Sequence, residues 1–66
     1  MTIKELRKRS GKSVMAICQE LGIHINTYYV YEAGKAMKPF MVAAFADVFG
    51  VEKSEIDYGI KGYNYN

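Results

Sequence analysis

The side chains that could do chemistry in this 66-residue chain are few, and most of them carry positive charge. Cys18 and His24 are the only cysteine and the only histidine of the sequence, whereas a structural zinc site needs four such ligands. The sequence has no histidine, carboxylate and nucleophile in a catalytic constellation, and no glycine-rich phosphate loop. We therefore expect no metal, no cofactor and no enzymatic activity.

Charge is distributed unevenly along the chain. Residues 1–38 hold seven basic and three acidic side chains, for a net charge of +4, whereas residues 39–66 hold two basic and four acidic ones, for −2. Such asymmetry is typical of a protein whose basic half meets an anionic partner. A solvated helix face would produce the same pattern, so charge alone leaves both interpretations open.

Composition indicates one small folded domain. Half of the residues are apolar and 14% are aromatic, too many for a disordered chain, and the length allows a single domain. A lone cysteine cannot form an internal disulfide, so stability must come from helix packing, dimerisation or both.

The longest apolar run, 40–46, is too short for a membrane span, and no secretion signal follows Met1. We expect a cytoplasmic protein, since a free buried cysteine suits a reducing compartment.

Glycines and helix-capping residues divide the sequence into short segments with helical periodicity. Thr2 and Glu5 have the spacing of a capping box, Ser13 can cap the second segment, and Gly50 ends the fourth. Gly34 is the predicted C-cap of the third segment. That segment is rich in β-favouring residues, but it lacks period-two alternation and the neighbouring helices need a packing partner. The predicted helices cover residues 2–10, 14–21, 25–33, 39–49 and, as a short fifth helix, 54–58. The predicted buried stripe of the fourth helix is Met41, Phe45, Val48 and Phe49. The sequence thus predicts an all-α domain over residues 1–58, followed by a short tail, 59–66.

The most informative pattern is a helix, a three-residue connection that contains glycine, and a second helix, followed by a basic loop over residues 35–38. Gly22 supplies the left-handed backbone of the connection, and Cys18 supplies a small side chain where the helices cross. This is the helix-turn-helix arrangement, whose second helix enters the major groove of DNA. The positions predicted to pack the two helices together are Ile17, Cys18, Leu21, Gly22, Ile23, Tyr28 and Tyr31.

The sequence resembles the Cro/repressor-type (XRE) family of helix-turn-helix proteins, in particular the phage repressors and Cro proteins. The resemblance covers about residues 3–59. It rests on the segments 3–7, 17–23, 31–35, Pro39 and 49–51, and on the spacing of Glu32, Pro39 and Gly50. It implies a compact five-helix, lambda-repressor-like fold that binds double-stranded operator DNA.

The resemblance also implies roles for particular side chains. An arginine of the first helix, here Arg7, pairs with the glutamate before the glycine loop, here Glu32; the alternative is a surface ion pair worth about 0–1 kcal/mol. The positions expected to read bases are Ile25, Asn26, Tyr29 and Val30. Those expected to contact phosphates are Arg7, Lys12, Ser13, His24, Lys35 and Lys38. Asn26 is the clearest base reader, because an amide can bond bidentately to adenine.

The chain departs from the family pattern in its recognition helix. Val14 stands where the family commonly has a glutamine that contacts DNA, and Ala33 where it often has asparagine. The helix itself lacks arginine and glutamine, so direct readout is expected to rest on few side chains, supplemented by DNA shape. Its apolar residues could contact thymine methyl groups or form a patch that binds another protein.

Together these patterns predict a Cro-like repressor that acts by occupying an operator. Operators with two-fold symmetry predict a homodimer at least on DNA, with Ile56, Tyr58 and Ile60 as the expected dimer surface. The alternative is the same scaffold used to bind a protein, as an antirepressor or an antitoxin.

Overall fold

Four α-helices and one 3-10 turn make up the regular structure of residues 1–57, the part of the chain that the computed structural model describes. The helices are α1 (Ile3–Ser10), α2 (Val14–Leu21), α3 (Ile25–Glu32) and α4 (Pro39–Phe49), and the turn is Lys53–Glu55. The prediction of an all-α fold is confirmed for these residues. The fifth helix is instead this short turn, because Ile56 adopts an extended backbone (φ −98°, ψ 125°) that ends it.

Side-chain caps begin the first two helices at the predicted residues. The Thr2 hydroxyl accepts from Glu5 N at 3.1 Å, and the Glu5 carboxylate accepts from Thr2 N at 2.8 Å, which completes a capping box. Hydrogen bonding of the Glu5 carboxylate to Thr2, mainly to its backbone N–H, lowers the pKa of Glu5. Ser13 caps α2 in the same way, since its hydroxyl accepts from Ala16 N at 3.1 Å. Both helices therefore start where the sequence indicates.

The end of α3 differs by one residue from the prediction. Ala33 is the C-cap and keeps a right-handed backbone, whereas Gly34 follows with a φ of +111°. Gly34 N donates to Tyr31 O at 3.0 Å and Lys35 N donates to Val30 O at 3.3 Å. This pair of bonds is a Schellman motif, in which the left-handed residue lies one position beyond the cap.

The helices enclose a single core that takes residues from all four α-helices. Its fully buried centre consists of Ile17, Tyr28, Met37 and Phe45. Aromatic contacts join α3 to α4, since the ring of Phe45 lies 6.2 Å from Tyr28 and 6.0 Å from Tyr31. This packing explains why α3 is helical despite its β-favouring composition: burial of its aromatic face outweighs local propensity.

The buried stripe of α4 differs from the prediction. The buried stripe of α4 is Val42, Phe45 and Ala46, whereas the predicted Met41, Val48 and Phe49 are only partly buried. The inward face is thus centred on positions spaced i, i+3 and i+4 from residue 42.

The predicted basic loop after α3 is also more than a solvated connection. Ala36 and Met37 are buried, with 4% and 1% of their surface exposed, while Lys35 and Lys38 on either side point to solvent. Ile56, expected on a dimer surface, is 3% exposed and belongs to the core. The expected partners Tyr58 and Ile60, like the tail 59–66, lie outside the described residues.

Candidate nucleic-acid interface

The connection between α2 and α3 has the geometry of a tight turn. Gly22 ends α2 with a φ of +71°, and both Gly22 N and Ile23 N donate to Cys18 O, at 2.8 and 3.1 Å. An added Cβ at Gly22 would meet no atom within 4 Å. The glycine is therefore required by its left-handed backbone and not by lack of space.

The residues predicted to lock α2 against α3 lie in or against the core, apart from the exposed Gly22. Ile17, Cys18 and Tyr28 are buried, and the partly buried Leu21, Ile23 and Tyr31 pack against them. Burial raises the pKa of the Cys18 thiol, so this cysteine acts as a small apolar side chain at the crossing. The angle between the two helices is thereby fixed by packing.

His24 caps the N-terminus of α3. Its Nδ1 accepts a hydrogen bond from Asn26 N at 3.1 Å, which satisfies one of the free N–H groups of the first turn. The imidazole acts here as an acceptor, the role that serine or threonine plays at most helix starts. His24 is exposed, so its ring stands at the same end of the helix as Asn26.

The outer face of α3 is formed by Asn26, Tyr29 and Val30. All three are exposed, Tyr29 by 48% and Val30 by 44%. Tyr29 meets the buried Tyr28 edge to face, with 5.5 Å between ring centroids, which restrains an otherwise exposed ring. Ile25 differs from the prediction: it is half-buried and packs against the core, so only part of its side chain is free to touch a ligand.

A polar cluster joins α1 to the end of α3. Arg7 Nε donates to Glu32 Oε2 at 3.0 Å, and the Tyr28 hydroxyl donates to the same oxygen at 2.6 Å. Burial alone would raise the pKa of Glu32, but the hydrogen bonds from Tyr28 and Arg7 outweigh it and hold that pKa below its ordinary value. Glu32 in turn raises the pKa of Arg7. The Arg7 and Glu32 side chains are 23% and 13% exposed, so the pair is partly shielded from solvent.

The other predicted phosphate contacts lie at the surface. Lys12 Nζ donates to both carboxylate oxygens of Glu20, at 2.9 and 3.1 Å, so a phosphate would have to compete with that carboxylate. The Ser13 hydroxyl accepts the capping bond of α2, which leaves its own proton free to donate. Lys35 and Lys38 are exposed on the loop after α3.

Two features of this region were missed by sequence reasoning. Met37, inside the loop, fills the core and fixes the positions of the lysines on either side of it. Tyr28 was predicted as a packing residue, and its hydroxyl bond to Glu32 was not anticipated. The four-residue spacing of Tyr28 and Glu32 could have indicated this bond, because residues four apart on a helix share one face.

Comparison with protein families assigns the chain to a family. A family model described as a helix-turn-helix domain matches residues 1–58. The chain belongs to this family. Searches of curated proteins and of solved structures found no significant match. Because a helix-turn-helix domain uses its second helix to bind DNA, membership supports DNA as the partner of this chain.

Residues 1–57 of this helix-turn-helix domain contain neither a membrane-spanning helix nor a cluster of metal-ligating side chains. None of the helices there is both long enough and apolar enough to cross a membrane. Within the same stretch, no group of three or more histidine, cysteine, aspartate and glutamate side chains is arranged to hold a metal ion.

Proposed function

We propose that this helix-turn-helix domain is a Cro-like transcriptional repressor of the Cro/repressor (XRE) type that binds operator DNA with α3 in the major groove. The observation that carries the proposal is the two-sided character of α3. Its inner face is anchored by the fully buried Tyr28, whereas Asn26, Tyr29 and Val30 are exposed on its outer side. Core packing thus presents a rigid helix face, and rigidity is what base readout requires.

Base readout in this proposal depends mainly on Asn26. Its amide can donate to adenine N7 and accept from adenine N6, which distinguishes adenine from the other bases in the major groove. Val30 and the exposed part of Ile25 would contact thymine methyl groups, and Tyr29 would reach a phosphate or a sugar. Since few side chains read bases, sequence-dependent DNA shape supplies part of the specificity.

Phosphate contacts would come from both ends of the motif. Lys35 and Lys38 lie beyond the C-terminus of α3, Arg7 is held next to Glu32, and Ser13 stands at the N-terminus of α2, where free N–H groups favour anions. Such contacts fix the orientation of the protein on the duplex but carry no sequence information. Because Nδ1 of His24 accepts the capping bond at the start of α3, its Nε2–H would donate a further contact to phosphate.

Repression would result from occupancy of the operator, without catalysis. Operators with two-fold symmetry have half-sites about 34–36 Å apart, so we propose that the protein binds them as a homodimer. The burial of Ile56 removes that residue from the dimer surface. Sedimentation of the protein free and bound to operator would decide the stoichiometry, and a single chain on a two-fold operator would refute the dimer.

Selection of binding sites from a random DNA library tests the proposal directly. The wild type is expected to enrich one motif that contains an adenine contacted by Asn26. In a parallel selection, Asn26→Ala is expected to lose preference at that one position and to keep the rest of the motif. Enrichment of no motif by the wild type would contradict sequence-specific binding.

A second candidate function is supported by the apolar part of the same surface. Tyr29 and Val30 are about half exposed, and an exposed apolar patch is a common feature of protein-binding sites. The domain would then be an antirepressor or an antitoxin that binds a protein through α3. Loss of partner binding in Val30→Asp, with no DNA binding by the wild type, would favour this function over the first.

A further inference from the structure

One carboxylate oxygen connects the interior of the domain to the arginine expected to contact DNA. Glu32 Oε2 accepts from the Tyr28 hydroxyl at 2.6 Å and from Arg7 Nε at 3.0 Å. Tyr28 is completely buried, whereas 23% of the Arg7 side chain remains exposed. The cluster thus runs from the core to the surface through Glu32.

Arg7 binds Glu32 through a single nitrogen of its guanidinium. Arg7 donates to Glu32 through Nε alone, so its two terminal nitrogens do not form a bidentate pair with that carboxylate. A guanidinium has five N–H donors in a rigid fork, and the fork formed by Nη1 and Nη2 matches a phosphate. Arg7 is therefore held at Nε, and its hydrogen bond to Glu32 uses neither Nη1 nor Nη2.

Tyr28 is suited to hold the carboxylate in a fixed place. Its ring is packed against Phe45, with 6.2 Å between centroids, and its hydroxyl reaches Glu32 four residues further along α3. A phenol has only a ring flip and a hydroxyl rotation left once its ring is buried, so the donor position hardly varies. Glu32, in contrast, lies at the last residue of α3 and would depend on Arg7 alone if the hydroxyl were absent.

We propose that Tyr28 is a positioning residue for DNA binding. Its hydroxyl fixes the carboxylate of Glu32, which orients Arg7 so that both terminal nitrogens face a backbone phosphate. The inference rests on the proposed function, in which Arg7 contacts DNA. For packing alone, a phenylalanine ring would serve equally well, since a buried hydroxyl is unfavourable unless it is hydrogen-bonded. The positioning role requires the hydroxyl itself.

The first test is a double-mutant cycle on DNA affinity. Tyr28→Phe removes only the hydroxyl, and it is expected to weaken operator binding by about three- to tenfold, the effect of one hydrogen bond. It is also expected to reduce the slope of log affinity against log salt by up to about 0.9, the value for one phosphate contact. In an Arg7→Gln background, the same change is expected to alter affinity by less than about twofold.

Tyr31→Phe is the matched control. Tyr31 lies on the same helix, and its hydroxyl makes no hydrogen bond to another described residue, so the variant removes the same atom without touching Glu32. It is expected to keep both wild-type affinity and wild-type salt slope. Equal losses from Tyr28→Phe with and without Arg7 would overturn the proposal.

The second test does not depend on DNA. In the nuclear magnetic resonance spectrum of the wild type, the Tyr28 hydroxyl proton should exchange slowly with water and show a nuclear Overhauser effect to the Arg7 Nε proton, because both donate to one oxygen. In Tyr28→Phe, the Arg7 Nε–H signal should lose its protection. Absence of the Overhauser effect in the wild type would overturn the positioning role even if Tyr28→Phe failed to fold. If the wild type bound no DNA, the proposed function would fail, and this spectrum would still decide whether Tyr28 orders Arg7.

Discussion

Replacement of Glu32 by alanine is expected to lower the free energy of unfolding by about 1–4 kcal/mol. Glu32 is the only described acceptor for the Tyr28 hydroxyl, which is fully buried. Without the carboxylate, that hydroxyl becomes an unsatisfied buried donor, at a cost of about 1–3 kcal/mol. Arg7 keeps access to water because 23% of its side chain is exposed, so its lost partner adds no more than about 1 kcal/mol.

This loss is large relative to the total free energy of unfolding of the domain. A chain of 66 residues has a free energy of unfolding of roughly 3–10 kcal/mol, so Glu32→Ala would remove a substantial part of it. If the unsatisfied hydroxyl is the main cause, then Tyr28→Phe combined with Glu32→Ala should lose less stability than the two single changes together, by about 1 kcal/mol or more. The double variant has no stranded donor.

Urea denaturation followed by far-ultraviolet circular dichroism at neutral pH measures these differences. Glu20→Ala is the matched control, because it removes a carboxylate that is also paired with a basic side chain, Lys12, but 47% exposed. It is expected to change the free energy of unfolding by less than about 1 kcal/mol. Equal effects of the Glu20 and Glu32 changes, or strict additivity with Tyr28→Phe, would exclude the stranded Tyr28 hydroxyl as the cause of the loss.

Further predictions concern pH, the thiol and DNA contacts. The pKa of Glu32 is lowered in the folded state, so its contribution to the free energy of unfolding is complete above pH 4.5 and is lost as the pH falls through the lowered value. The stability difference between wild type and Glu32→Gln should therefore shrink in acid titrations. A difference that stays constant with pH would contradict this. The buried Cys18 should react with a thiol reagent on the order of a hundredfold more slowly in the native state than in urea, and equal rates would place it at the surface. Lys35→Ala should weaken binding to all DNA sequences alike and reduce the salt slope by about 1, as titrations with operator and unrelated duplexes will show. Asn26→Ala should cost about 1–3 kcal/mol of operator affinity, measured by fluorescence anisotropy, and unchanged affinity would remove it from the readout.

Local signals in the sequence were sufficient for the framework of the fold. Capping residues and glycines act within a few positions of themselves, so Thr2, Ser13, Gly22 and Gly50 marked helix ends that agree with the structure. The helical state of α3 required one non-local argument, that its neighbours need a partner. That argument outweighed the β propensity of the segment, as tertiary packing commonly does.

Features that depend on distant contacts could not be predicted in the same way. Met37 lies between loop residues in the sequence, and it becomes a core residue only because the helices pack around it. Ile56 looked like an exposed apolar residue for a dimer, but it closes the core instead. The hydroxyl bond of Tyr28 to Glu32 depends on how deeply the ring is buried, which spacing along a helix does not reveal. The site is thus better predicted in its outline than in its supporting contacts.

The salt dependence of DNA binding is the decisive measurement for recognition of DNA through α3 and its neighbouring loop. Labelled operator selected from random DNA would be titrated by fluorescence anisotropy at salt concentrations from about 50 to 200 mM. With contacts from Arg7, Lys12, Lys35 and Lys38, the log of the association constant is expected to fall with log salt at a slope between about −2 and −4 per chain. Lys35→Ala should reduce that slope, whereas Lys53→Ala, which removes an exposed lysine from the 3-10 turn, should not. A flat response, or equal effects of the two lysine changes, would contradict DNA recognition through α3 and its neighbouring loop.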